Sequence, residues 1–83
     1  MITIDCSEMK DAAGLHDLLA AQLELPGYYG ANLDALFDCL MEIRKDTTIR
    51  LLGWSELGSW KEGFTETFLD ATLENPHLDI SFA

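Results

Sequence analysis

The apolar and polar positions of the chain fall into two short alternating stretches and one β-rich run, separated by stretches of helical period. Ile2-Thr3-Ile4 alternates and predicts a first strand. Leu15, Leu18, Leu19 and Leu23 recur at helical spacing, predicting a helix capped by Asp11 that runs to about Glu24. Gly14 weakens its first turn, and Pro26-Gly27 stops it. Asn32 is a suitable N-cap for a second helix over about Leu33 to Ile43, in which Leu33, Leu36, Phe37, Leu40 and Met41 share one face. Arg44 and Lys45 then stand at the negative end of its dipole.

Thr47 to Leu52 reads as a β-rich strand ended by Gly53. Ser55 to Leu57 predicts a short helical turn interrupted by Gly58. A third helix follows over about Lys61 to Glu74, its apolar side formed by Phe64, Phe68 and Ala71 with Leu69 and Leu73. Asn75-Pro76 breaks it, and Leu78, Ile80 and Phe82 alternate in a last strand. Strands separated by helices need crossover connections, so the order predicts an α/β fold: a small three-stranded, mainly parallel sheet packed with helices. With 83 residues and neither linker nor repeat, residues 1–83 are expected to form one domain.

Charge changes this picture most. Fifteen acidic residues face five basic ones, for a formal net charge of −10. A direct nucleic-acid binder needs a basic patch, and the only basic cluster is Arg44, Lys45 and Arg50. The sign suits a basic partner, although acidity also serves solubility alone. No apolar run is long enough to span a bilayer, and the N-terminus does not resemble a secretory signal, so no membrane role and a cytoplasmic location are expected. Cys6 and Cys39 are expected to be free thiols, and neither they nor His16 and His77 form a recognisable metal-ligand set.

The acidic residues are patterned. Asp34, Asp38 and Glu42 lie four apart on the second helix, opposite its apolar face, although like charges at that spacing weaken a helix. Asp34 suits the positive N-terminal end, whereas Asp38 and Glu42 approach the negative end. Glu66, Asp70 and Glu74 repeat the spacing on the third helix. A solvated polar face accounts for either stripe, and a Mg²⁺ site on Asp34 and Asp38 is a further reading. No phosphate-binding glycine loop or nucleophile–histidine pattern is present, so no catalytic residue, cofactor or metal ligand is assigned. Before the helix, Tyr28 and Tyr29 stand between Gly27 and Gly30. One ring is expected inward and one outward, and an exposed tyrosine beside an acidic stripe makes a compact binding epitope.

The stretch "LPGYYGANLDALFDCL", residues 25–40, resembles the signature of the barstar family, intracellular inhibitors of barnase-type ribonucleases. Leu15 to Leu19, Trp54, Phe68 to Glu74 and Asp79-Ile80-Ser81 extend the resemblance in register. It implies one-to-one binding of a basic barnase-type ribonuclease, with carboxylates standing in for RNA phosphate. Asp38 would enter the phosphate pocket, Asp34 would pair with basic groups at the groove edge, and Tyr28 would pack on the enzyme surface. Gly30, Asn32, Leu33 and Ala35 would make close contacts, with Asp70 and Glu74 peripheral. Phe37 and Ile43 stand at positions of interface tryptophans in the family prototype, and the chain is shorter around Gly58–Gly63. The acidic stripe adds Glu42 to this set. An immunity protein or adaptor that turns the same surface toward a basic partner other than a ribonuclease is the alternative.

Overall fold

The computed structural model describes residues 1–83. Its elements are β1 (Ile2–Asp5), α1 (Ala12–Gln22), α2 (Leu33–Met41), β2 (Thr47–Leu52), 3₁₀ turns at Trp54–Glu56 and Ser59–Lys61, α3 (Glu62–Glu74) and β3 (Leu78–Phe82). The three strands form one sheet in the order β1-β2-β3. Both pairings are parallel, with Ile4 opposite Leu51 and Ile49 opposite Ile80.

Successive side chains of a strand point to opposite faces, so this register collects the apolar positions of all three strands on one face. Ile4, Ile49, Leu51 and Leu78 are buried there, whereas Thr3, Asp5, Arg50, Asp79 and Ser81 face solvent on the other side. The helices cover the first face. Leu15 and Leu19 of α1, Leu36 and Leu40 of α2, and Phe64, Phe68 and Ala71 of α3 join the strands in one core. The result is the expected α/β architecture in two layers. No helix is long and apolar enough to cross a membrane.

Two caps act as the sequence predicts. Asp11 Oδ1 accepts from Gly14 N at 2.8 Å, and Asn32 Oδ1 accepts from Ala35 N at 2.8 Å. Each satisfies one of the orphan N–H groups of a first helical turn.

Several boundaries differ from expectation. α1 stops at Gln22 because Glu24 takes a left-handed conformation (φ 52°) that no helix continues. α2 stops at Met41, so Arg44 and Lys45 lie beyond its last turn. The expected single turn after β2 is two 3₁₀ turns, the first opened by Gly53 at φ 73°. A side chain at Gly53 would also meet Ser7 Cα at 2.8 Å, so only glycine fits there. Leu69 and Leu73 are not on the core side of α3: they are 48% and 85% exposed. Phe64, Phe68 and Ala71 already fill the narrow stripe that faces the sheet, and at about 100° per residue positions 69 and 73 turn away from it.

α2 and α3 run side by side. At one end, Gly63 packs against the Leu33 side chain: a Cβ added there would meet Leu33 Cδ1 at 2.7 Å, so the leucine would have to shift. At the other end, buried Asn75 donates from Nδ2 to Leu40 O at 2.9 Å and to Ile43 O at 3.1 Å. α2 is therefore fixed at both ends, and its acidic outer face is held in a set orientation.

Candidate functional site: the acidic face of α2 and its leading loop

The site begins where α1 ends. Leu23 N donates to Leu19 O and Leu25 N donates to Ala20 O, closing the helix around left-handed Glu24. Tyr29 N then donates to Pro26 O at 2.9 Å, closing a four-residue turn with Tyr28 near its tip.

The two tyrosines divide as expected. Tyr28 is 81% exposed. Tyr29 turns inward, its hydroxyl 2.5 Å from Nδ1 of buried His16, whose ring also packs on Phe64 at 4.7 Å between centroids. Burial raises the Tyr29 phenol to about 12, and burial lowers the His16 imidazole against a smaller opposing effect of Asp17. Both groups are therefore neutral near pH 7. The phenol is the stronger donor and the imidazole nitrogen the stronger acceptor, which assigns Tyr29 O–H as donor to Nδ1.

Asn32 secures the far end of the loop: besides capping α2, its Nδ2 donates to Gly30 O at 3.3 Å. Along α2, Asp34, Asp38 and Glu42 are exposed, and Leu33, Ala35 and Phe37 are half-buried. Tyr28, Tyr29, Ala35, Asp38, Cys39 and Glu42 line a common hollow of about 220 Å³. Four of the residues expected at a partner surface, Tyr28, Ala35, Asp38 and Glu42, thus converge. Asp34, Gly30 and Asn32 belong to the same loop and helix but lie outside the hollow. Leu33 and Phe37 pack partly against the core, and Ile43 lines a different depression. Asp70 and Glu74 are exposed on neighbouring α3 and border no hollow with α2.

Tyr29 and Cys39 are wall residues that the acidic stripe alone does not reveal. Positions 35, 38, 39 and 42 follow the i, i+3, i+4, i+7 period of one helix face, and that period is the signal for Cys39. Burial first, and the Glu42 and Asp38 carboxylates second, raise the Cys39 thiol above its ordinary value. It is a protonated wall, not an activated nucleophile.

What the face offers chemically is anionic and unsatisfied. The one contact between a basic and an acidic side chain joins His77 Nδ1 and Asp46 Oδ1 at 3.1 Å, so none of the stripe carboxylates is paired within the chain. No three His, Cys, Asp or Glu side chains converge into a set able to hold a metal ion. Both cysteines are free thiols, Cys6 buried and Cys39 half-buried.

The sequence matches the family model described as Barstar (barnase inhibitor) over residues 1–74. It is also similar to the Bacillus subtilis (strain 168) protein named "Putative ribonuclease inhibitor YrdF", at 51% identity over 78 residues, covering 88% of this chain and 86% of that protein. By both measures, the chain belongs to the barstar (barnase inhibitor) family.

Proposed function

We propose that this protein is a non-catalytic ribonuclease inhibitor that seats α2 and its leading loop in the phosphate-binding groove of a basic barnase-type enzyme, one inhibitor to one enzyme. The observation that carries this reading is the hollow where exposed Tyr28 meets the unpaired carboxylates of Asp38 and Glu42. Family membership and the name of the Bacillus subtilis relative support the same reading.

The physics is that of a phosphate mimic. A groove that binds RNA phosphate presents converging cations, and carboxylates satisfy them through charge-assisted hydrogen bonds. In this mode Asp38 enters the phosphate pocket and Asp34 meets basic groups at its edge. Tyr28 packs on the enzyme surface. Gly30, Asn32, Leu33, Ala35 and Phe37 supply close contacts, Glu42 and Ile43 form one rim, and Asp70 and Glu74 the other. The free thiols fit a reducing, cytoplasmic setting for such an antitoxin.

The test is RNA cleavage by a panel of barnase-type ribonucleases with increasing amounts of this protein. Stoichiometric inhibition is expected for at least one. Asp38→Ala then weakens inhibition by about 2–5 kcal/mol, as truncating one partner of a buried charge pair does. (Barnase and barstar are themselves among the pairs behind that range.) Glu66→Ala, on the exposed face of α3, changes it by less than about 0.5 kcal/mol. Unchanged cleavage at several-fold excess across the panel, or equal effects of the two substitutions, overturns the reading. Capture of a basic partner without nuclease activity points to an adaptor instead.

A further inference from the structure

We propose that a second hollow, between the end of α1 and the end of α2, receives an arginine side chain of the protein partner. This hollow of about 310 Å³ is walled on its apolar side by Leu23, Leu25, Pro26 and Ile43. Two carboxylates, Glu24 and Glu42, also line it. Both residues are exposed, which puts the acids at the mouth and the apolar surface within. No lysine, arginine or histidine lines the hollow, and no cation of the chain pairs with either acid.

Two features of this lining, the carboxylate pair and the apolar wall, select the occupant. A purely apolar group leaves two negative charges uncompensated at its edge. A metal ion asks for several oxygen ligands, and the walls are largely hydrocarbon. A long cationic side chain fits both parts, with its methylenes on the apolar wall and its head between the carboxylates. Between the two candidates, the guanidinium is planar and weakly hydrated and bonds two carboxylates through separate edges. The ammonium of lysine is compact and strongly hydrated, so it gains less in a partly apolar recess.

The position ties this recess to the acidic face of α2. Cys39 and Glu42 line both hollows, so a partner covering Asp38 and Tyr28 also reaches this one. The inference rests on the proposed docking mode only for which protein carries the arginine. Glu24 and Leu25 become specificity-determining residues, and targets lacking a basic side chain at this place are bound less tightly.

The test is titration of ¹⁵N-labelled protein with N-acetyl-arginine methylamide and, separately, with the citrulline analogue, which has the same shape and no charge. The arginine probe is expected to shift the Leu25, Ile43 and Thr47 amides saturably, with about fivefold weaker binding for citrulline. The Glu24→Gln/Glu42→Gln double variant, changed only at exposed positions, keeps its spectrum and binds the arginine probe no more tightly than the citrulline analogue. Equal binding of both probes overturns the proposal. So do the absence of saturable shifts at Leu25 and Ile43 and shifts confined to Tyr28–Asp38. Because no ribonuclease takes part, the two readings fail separately. A chain that takes arginine here but inhibits no ribonuclease refutes the docking mode alone. One that inhibits through Asp38 but ignores the probe refutes the arginine site alone.

Discussion

The hydroxyl of Tyr29 and Nδ1 of His16 lie 2.5 Å apart, joining the loop that carries Tyr28 to the buried side of α1. This bond fixes one tyrosine of the pair so that its neighbour projects outward. Tyr29→Phe removes the donor and leaves a buried ring nitrogen unsatisfied, so a loss of about 1–3 kcal/mol in urea unfolding is expected. Tyr28→Phe changes an exposed ring and stays within about 0.5 kcal/mol of the parent.

The burial of His16 gives the acid limb of stability a specific origin. The folded state holds His16 below its ordinary 6.5, chiefly by burial. The unfolded chain therefore takes up its proton first. His16's contribution is complete above pH 6.5 and is lost as pH falls from there through the lower folded value. At the alkaline end the signs reverse: burial raises Cys6 from 9.0 to about 11 and Tyr29 from 10.0 to about 12. Their contributions are complete below those unfolded values and fall away as pH rises through the folded ones. Unfolding free energy measured against pH is expected to show both limbs, with the acid limb flattened in His16→Gln.

Asn75, just past the end of α3, ties that end to the C-terminal end of α2. The residue is 4% exposed. It donates to Leu40 O and Ile43 O, while its Oδ1 accepts from His77 N at 3.0 Å. Asn75→Ala strands two carbonyls and one N–H, and a loss of about 3 kcal/mol is expected. In thermal unfolding that corresponds to a midpoint lowered by more than about 10 °C.

Glu24 separates stability from recognition. Its φ of 52° lies where an L side chain is penalised and glycine is not. Glu24→Gly is expected to raise stability by up to about 1 kcal/mol in urea unfolding while weakening the arginine response of the neighbouring hollow. Ala31→Gly, at φ 51° in the leading loop, supplies the control: the same backbone relief with no carboxylate removed.

Much of this molecule was legible in its sequence because local rules govern it. Asp11 and Asn32 are read as caps from their side-chain chemistry, and β2 is read at Thr47–Leu52 from its β-branched run. The acidic stripe on α2 follows from spacing alone. What escaped depends on neighbours far along the chain. Leu69 and Leu73 look like core until Phe64, Phe68 and Ala71 are seen to fill the only stripe facing the sheet. The hollow at Glu24 draws on Ile2, the α1–α2 connection, the end of α2 and Thr47, segments whose juxtaposition no periodicity encodes. Glu24 itself stands where a glycine is usual, and nothing in its local sequence signals a left-handed backbone.

The absence of any Lys or Arg ion pair within a chain of net charge −10 has a consequence in ionic strength. Uncompensated like charges push the fold apart, and dissolved salt screens that repulsion over a Debye length of about 8–10 Å. Added salt therefore firms the isolated molecule. The same screening dims the field that draws in a basic partner, so encounter slows as the fold gains stability. The two quantities run in opposite directions along one salt axis.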